Sequence, residues 1–129
     1  MSNLKYPDDR MYHAEHLWAL KEGDKVRIGI SDFAQDQLES VIFIDLPNVG
    51  DHFAQGISGA SLESVKTTSD AIMPMSGTVV EVNDELNANP ELVNTDPYGA
   101  GWLMLITPDD AGQDGLITAA EYAAQVAGK

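Results

Sequence analysis

The feature that most restricts the fold is a succession of short β-rich runs, each halted within a few residues by proline or glycine. Val41-Ile42-Phe43-Ile44-Asp45-Leu46 ends at Pro47, and Gly101-Trp102-Leu103-Met104-Leu105-Ile106-Thr107 ends at Pro108. Ala60 to Val65, Ala71 to Met75 and Gly77 to Val82 read as three more strands, with Pro74, Ser76 and Gly77 bending the chain between the last two. Upstream, Met11 to Leu20 and Lys25 to Ile30 flank the turn Glu22-Gly23-Asp24 and read as an antiparallel pair. β-Branched and aromatic side chains suit a pleated surface, and proline cannot donate to a ladder, so this punctuation gives many short strands. Strands at such close spacing form a sandwich or flattened barrel.

Helices are few in this reading. Ser31 caps a helix of about two turns, with Asp32 in its first turn and Phe33, Ala34, Gln37 and Leu38 at helical spacing. Val41 to Leu46, apolar almost throughout, reads as a buried strand, and Asn48 to Asp51 turns the chain. A single helical turn is expected around Pro90-Glu91-Leu92-Val93. Thr118-Ala119-Ala120-Glu121 is a capping box opening a terminal helix to Ala127. Val41 to Val65 and Ile72 to Val93 echo one another faintly as strand, turn, strand. A chain of 129 residues supplies one core, so a single domain over residues 1–129 is expected.

Composition narrows the partners. The 21 acidic against 7 basic side chains give a formal charge of −14, which repels phosphate backbones and anionic lipid surfaces, so neither nucleic acid nor membrane is an expected partner. Cysteine is absent, which removes disulfides, thiolate metal sites and cysteine nucleophiles. Redox chemistry would have to come from a bound group. No apolar run reaches signal-peptide or membrane-spanning length, and a cytoplasmic location is expected.

Against this acidic background one base stands out. Between Arg27 and Lys129 the only lysine or arginine is Lys66, while sixteen acids fall in the same stretch. Its surround, Leu62-Glu63-Ser64-Val65-Lys66-Thr67-Thr68-Ser69-Asp70, reads as two strands meeting at a turn with the lysine near the tip. Turns often hold solvated lysines, but a lone amine at a hairpin tip is also open to a modifying enzyme.

Other candidates carry less. His13 and His16 lie three apart in what reads as one strand, where period two sends them to opposite faces, so with His52 they are poorly placed to share a metal. Asp110 to Glu121 nearly fits a calcium loop, with Asp110, Asp114, Gly115, Ile117 and Glu121 at positions one, five, six, eight and twelve. Gly112 at position three offers no side-chain oxygen, and the preceding segment reads as strand, so a glycine turn before a capped helix is preferred. No nucleophile–histidine–acid set and no phosphate-binding glycine loop appears, and the chain does not read as an enzyme by itself. Trp18 and Trp102 read as core or rim aromatics.

At Glu63-Ser64-Val65-Lys66, Ser69-Asp70 and Pro74-Met75-Ser76-Gly77 the chain resembles the H proteins of the glycine cleavage system. Gly29 to Gln35, Val41 to Pro47, Val80 to Leu86, Asn89 to Asn94, Asp96-Pro97-Tyr98 and Gly101-Trp102-Leu103 agree, so the likeness covers nearly the whole chain. The resemblance implies a mainly β fold, a hybrid of barrel and sandwich with two small antiparallel sheets, a few short helices and a C-terminal helix. It implies lipoate in amide linkage on Lys66, which would erase the lysine's charge, with Glu63 and Asp70 as recognition points for a lipoate ligase, a lipoyl transferase or partner enzymes. A biotin carrier is the nearest rival, but the methionines that usually flank its lysine are replaced by Val65 and Thr67.

The implied role is that of a non-catalytic shuttle. It accepts an aminomethyl group from glycine decarboxylase, presents it to an aminomethyltransferase and returns the dithiol to dihydrolipoyl dehydrogenase. The chain departs from the family pattern at three places. Leu17 stands where His-Glu-Trp is usual, Thr67 where alanine usually follows the modified lysine, and Glu39-Ser40 where Gly-Asp is common. These departures leave open a lipoate-binding protein of sulfur oxidation, carrying sulfur for a heterodisulfide-reductase-like complex, and also a lipoate donor.

Overall fold

The computed structural model describes residues 5–109 and 116–127, so Asp110 to Gly115 of the calcium-like segment lie outside the described residues. The run from Met11 to Leu20 is not one strand. It divides into β1 (Met11–His13) and β2 (Leu17–Glu22), which pair antiparallel with Tyr12 opposite Trp18. Between them His16 takes φ 75°, and its amide donates to the His13 carbonyl at 2.8 Å. Histidine tolerates this left-handed conformation better than most residues, which is why the turn forms without glycine or proline. The premise that His13 and His16 share a strand is thereby corrected.

β2 and β3 (Lys25–Ile30) form the expected hairpin, with Gly23 at φ 67° in its turn. Gly29 sits opposite Trp18, and a Cβ there would lie 2.5 Å from the indole ring. The glycine is thus the space the tryptophan occupies. Helix α1 (Asp32–Leu38) starts where expected, its cap made by the Ala34 amide donating to Ser31 Oγ at 3.1 Å.

β4 (Val41–Asp45) corrects the expectation of a buried strand. Val41 and Ile44 are buried, but Ile42 and Phe43 face solvent, because a bulge between Val41 and Phe43 breaks the alternation against its neighbour. The two-residue strand β5 (His52–Phe53), not foreseen, follows the turn at Gly50. β6 (Ser58–Ser64) and β7 (Thr68–Ile72) then make the hairpin carrying Lys66. β7 begins three residues earlier than expected and stops before Pro74, whose missing N–H cannot extend the ladder.

β8 (Gly77–Val82) leads to two short helices, α2 (Glu85–Ala88) and α3 (Leu92–Thr95), where one helical turn was expected. β9 (Met104–Pro108) starts later than the sequence suggests, and the short β10 (Leu116–Ile117) follows it. Helix α4 (Ala119–Ala127) opens with the expected box. The Glu121 amide donates to Thr118 Oγ1 at 3.2 Å, and the Thr118 amide to Glu121 Oε1 at 2.9 Å.

The strands form a seven-stranded antiparallel sheet, ordered β10-β1-β2-β3-β9-β8-β5, and a three-stranded sheet, β4-β6-β7. The mainly β architecture of two antiparallel sheets with few helices is the one expected, though the sheets are unequal. Val26, Ile28, Val79, Met104 and Ile106 of the larger sheet share a core with Ile44 and Leu62 of the smaller one. A second cluster packs α4 on β1 and β2 through Tyr12, Trp18, Tyr122 and Val126. The Tyr12 and Tyr122 rings stack at 5.0 Å, and Tyr122 joins Ser31 and His16 by hydrogen bonds of 2.7 Å each. Trp18 is fully buried and Trp102 lies under the Arg27 guanidinium, in keeping with core and rim roles.

Candidate functional site

Lys66 stands in the turn between β6 and β7, built almost wholly by Ser64. The Ser64 amide donates to the Thr67 carbonyl at 2.7 Å, while its buried hydroxyl donates to the same carbonyl and accepts from the amides of Thr67 and Lys66. A hydroxyl is both donor and acceptor, which lets one small side chain satisfy most of the turn. The Val65 amide donates to the Ser40 carbonyl at 3.1 Å and ties the tip to the segment before β4.

Held this way, the lysine points outward with its side chain 50% exposed. Its Nζ donates to Glu39 Oε2 at 3.2 Å. Glu39 is the C-cap of α1, with φ 63° and ψ −144°, a conformation almost reserved for glycine. Asn94 fixes that cap, its Nδ2 donating to the Glu39 carbonyl at 2.6 Å and its Oδ1 accepting from the Val41 amide at 2.9 Å.

Glu63 and Asp70 are both exposed and flank the turn on opposite strands. Glu63 pairs with Thr68 and Asp70 with Ser61, so the two carboxylates share one face of the sheet on a diagonal. Beside the hairpin opens a cleft of about 430 Å³. Thr67 to Asp70 form one side; Leu17, Ile30, Phe33, Ala34, Leu38 and Leu62 form its apolar walls; Glu15, His16 and Gln37 complete the lining. Asp70 is part of this cleft, and Glu63 is not.

All three departures from the family pattern meet here. Leu17 and Thr67 line the cleft, Glu39 pairs with the lysine, and Ser40 braces the tip. The helical spacing of Phe33, Ala34, Gln37 and Leu38 also marks the helix face that walls the cleft. The contact between Glu39 and Lys66, twenty-seven residues apart, has no local signature.

The histidines go to separate places. His13 is partly buried in β1 and held below its ordinary pKa by desolvation, His16 joins Tyr122, and His52 joins Asp109 at 2.7 Å. Among the described residues no three histidine, aspartate or glutamate side chains converge as a metal site would require. No helix among them is long and apolar enough to cross a membrane.

The chain therefore presents a restrained hairpin, an exposed amine at its tip and a half-apolar cleft alongside. Comparison with known proteins agrees. The family model described as glycine cleavage H-protein matches residues 10–129. The glycine cleavage system H protein of Geobacillus thermodenitrificans is 50% identical over 124 residues, spanning 95% of this chain and 98% of that one. A protein named probable glycine cleavage system H protein from Natronomonas pharaonis is 48% identical over 121 residues, covering 94% and 96%. The crystal structure of a glycine cleavage system H protein from Mycobacterium marinum superposes with a TM-score of 0.86 at 43% identity, covering 94% of this chain and 98% of that one. On these matches and this architecture, the chain belongs to the glycine cleavage H-protein family.

Proposed function

We propose that Lys66 carries lipoate in amide linkage and that the chain works as one lipoyl-carrier domain over its whole length. As a member of the H-protein family it is a carrier component of glycine cleavage and not itself a catalyst. The observation that carries the assignment to Lys66 is its place at the tip of the Ser64-built hairpin, exposed and beside the cleft. The residues present fit the group: the amine is reachable, its hydrogen-bonded partner among the described residues is an exposed carboxylate, and acylation forfeits a weak surface pair. When bound, the dithiolane supplies the thiol–disulfide chemistry that a cysteine-free chain lacks.

The protein's own residues would anchor the arm and offer it a surface to lie on. Ser64 and Ser40 fix where it starts. Leu17, Phe33, Leu38 and Leu62 offer an apolar bed within reach, while Asp70 and Glu15 put two carboxylates in the same lining. That combination would suit an apolar chain ending in a cation, as an aminomethyl amine would be. Glu15, two residues before Leu17, places a carboxylate in the cleft lining. Partners follow from the role: glycine decarboxylase and aminomethyltransferase, with dihydrolipoyl dehydrogenase to reoxidise the arm and a lipoate ligase or lipoyl transferase to attach it. Glu63 and Asp70 are proposed recognition points for those enzymes. The sulfur-carrying alternative gains no support from the relatives named above.

The test is reconstitution. The purified chain, incubated with a lipoate ligase, lipoate and ATP and then with glycine decarboxylase, should support exchange of the glycine carboxyl carbon with bicarbonate. Lys66→Arg should fold normally and support none. A lipoylated wild type that gives no exchange would overturn the glycine cleavage reading.

A further inference from the structure

We propose that the outward-facing patch of Ile42, Phe43 and Val65 is the docking surface for the enzyme that acylates Lys66. That partner presents an apolar depression rimmed by lysine and arginine. The proposal rests on Lys66 being the lipoyl site.

The patch is made by the bulge. Val41 pairs with Ser64 and Phe43 with Glu63, which leaves Ile42 without a partner in β6. In a regular strand one of two successive side chains would turn inward. Here both face solvent, Ile42 52% exposed and Phe43 57%. Val65, 65% exposed, adjoins the lysine, and its amide is bonded to Ser40 just ahead of β4, so it lies at the same end of the sheet. Three of the five large exposed apolar residues among those described thus gather around the modifiable amine. Isolated exposed apolar side chains need no explanation, but two held outward by a bulge beside the hairpin do.

Charge selects the partner's rim. Glu39, Asp45 and Glu63, all exposed, lie around the patch on a chain of net charge −14, so an acidic surface would be repelled and a basic rim attracted. Reach selects which enzyme. The unmodified amine ends a four-carbon stem, so the acylating enzyme must close onto the residues beside it. Later partners meet an arm lengthened by the whole lipoyl chain and can stand further off. In the step itself the deprotonated Nζ attacks, through its lone pair, the acyl carbon of lipoyl adenylate, formed from lipoate and ATP with release of pyrophosphate. The C–N bond forms as the C–O bond to phosphate breaks, AMP leaves and the amine proton passes to solvent.

The experiment measures acylation of the full chain by purified lipoate ligase with lipoate and ATP, and binding of the ligase by calorimetry in a Lys66→Arg background that cannot react. Phe43→Ser should lower kcat/KM about tenfold through KM and weaken binding by the same factor, the scale of one aromatic anchor. Phe43→Tyr should retain both, and the control Val49→Ser/Ile57→Ser, which alters the other two exposed apolar residues, should change neither. Unchanged thermal melts would show that the loss is not unfolding. Phe43→Ser acylated and bound as wild type would overturn the proposal. So would normal acylation with impaired carboxyl exchange, which would give the patch to a later partner. If the wild type itself were not acylated, the lipoyl reading would fall first, a result distinct from either.

Discussion

Lys66 Nζ lies 3.2 Å from Glu39 Oε2, and Glu39 holds its end of the pair from a backbone conformation, φ 63° and ψ −144°, that ordinarily belongs to glycine. Strain of that kind costs about 1–3 kcal/mol, whereas an exposed ion pair returns about 0–1 kcal/mol. Glu39→Gly should therefore raise stability by about 1.5 kcal/mol, the difference between the midpoints of those two ranges. Urea denaturation measures it, and an unchanged or lower midpoint would show that the Asn94 cap has already absorbed the strain.

Acylation of Lys66 removes its charge and with it the pair to Glu39. Because both partners are half or more exposed, the lipoylated and unmodified proteins should unfold within about 1 kcal/mol of each other. A larger gap in paired thermal melts would mean that the arm itself packs strongly in the cleft.

Ser64 makes the turn from a buried position. Ser64→Ala strips the acceptor from two amides and a donor from the Thr67 carbonyl, which should cost about 1–3 kcal/mol. Acylation should slow as the tip loses its fixed geometry. Calorimetry and a lipoylation time course together check this, and full-rate acylation would mean that the ligase remodels the turn.

Gly29→Ala places a methyl where the Trp18 ring lies at 2.5 Å. Overpacking of this kind should destabilise by about 1–3 kcal/mol and alter the tryptophan fluorescence. Wild-type stability would show that β2 and β3 can separate more freely than their register suggests.

Burial pushes the phenols of Tyr12, Tyr98 and Tyr122 well above their ordinary value of 10.0. The unfolded chain ionises first, so the stability these groups lend is fully present below pH 10.0 and is lost as pH rises beyond it. His13 works in the opposite sense. Its pKa is lowered by desolvation, so its share is present above pH 6.5 and is lost as pH falls below it. Melting temperature should thus be highest between these limits and fall in alkali together with the rise of tyrosinate absorbance. A melting temperature still level well above pH 10.0 would contradict the buried cluster.

Much of the site could be read locally because local hydrogen bonds make it. The Ser31 cap and the Thr118–Glu121 box each close within a few residues, and both stand as expected. The Lys66 tip follows from two β-rich runs around a small polar step. What escaped is what distant parts of the chain decide. The break before Leu17 contains no glycine or proline, since His16 takes the left-handed turn itself. The run from Val41 to Leu46 looks buried because its apolar content is high, yet a bulge set by pairing with β6 turns Ile42 and Phe43 outward. β5 and β10, two residues each, exist only through their neighbours. Glu39 and Lys66 meet only once α1 and the hairpin are both in place.

The most direct measurement is the peptide mass of protein recovered from its native host grown with lipoate. A lipoyl adduct on the peptide containing Lys66, with Lys21 and Lys25 unmodified, is the expected result. A bare Lys66, or an adduct on another lysine, would contradict the assignment of this hairpin as the carrier site.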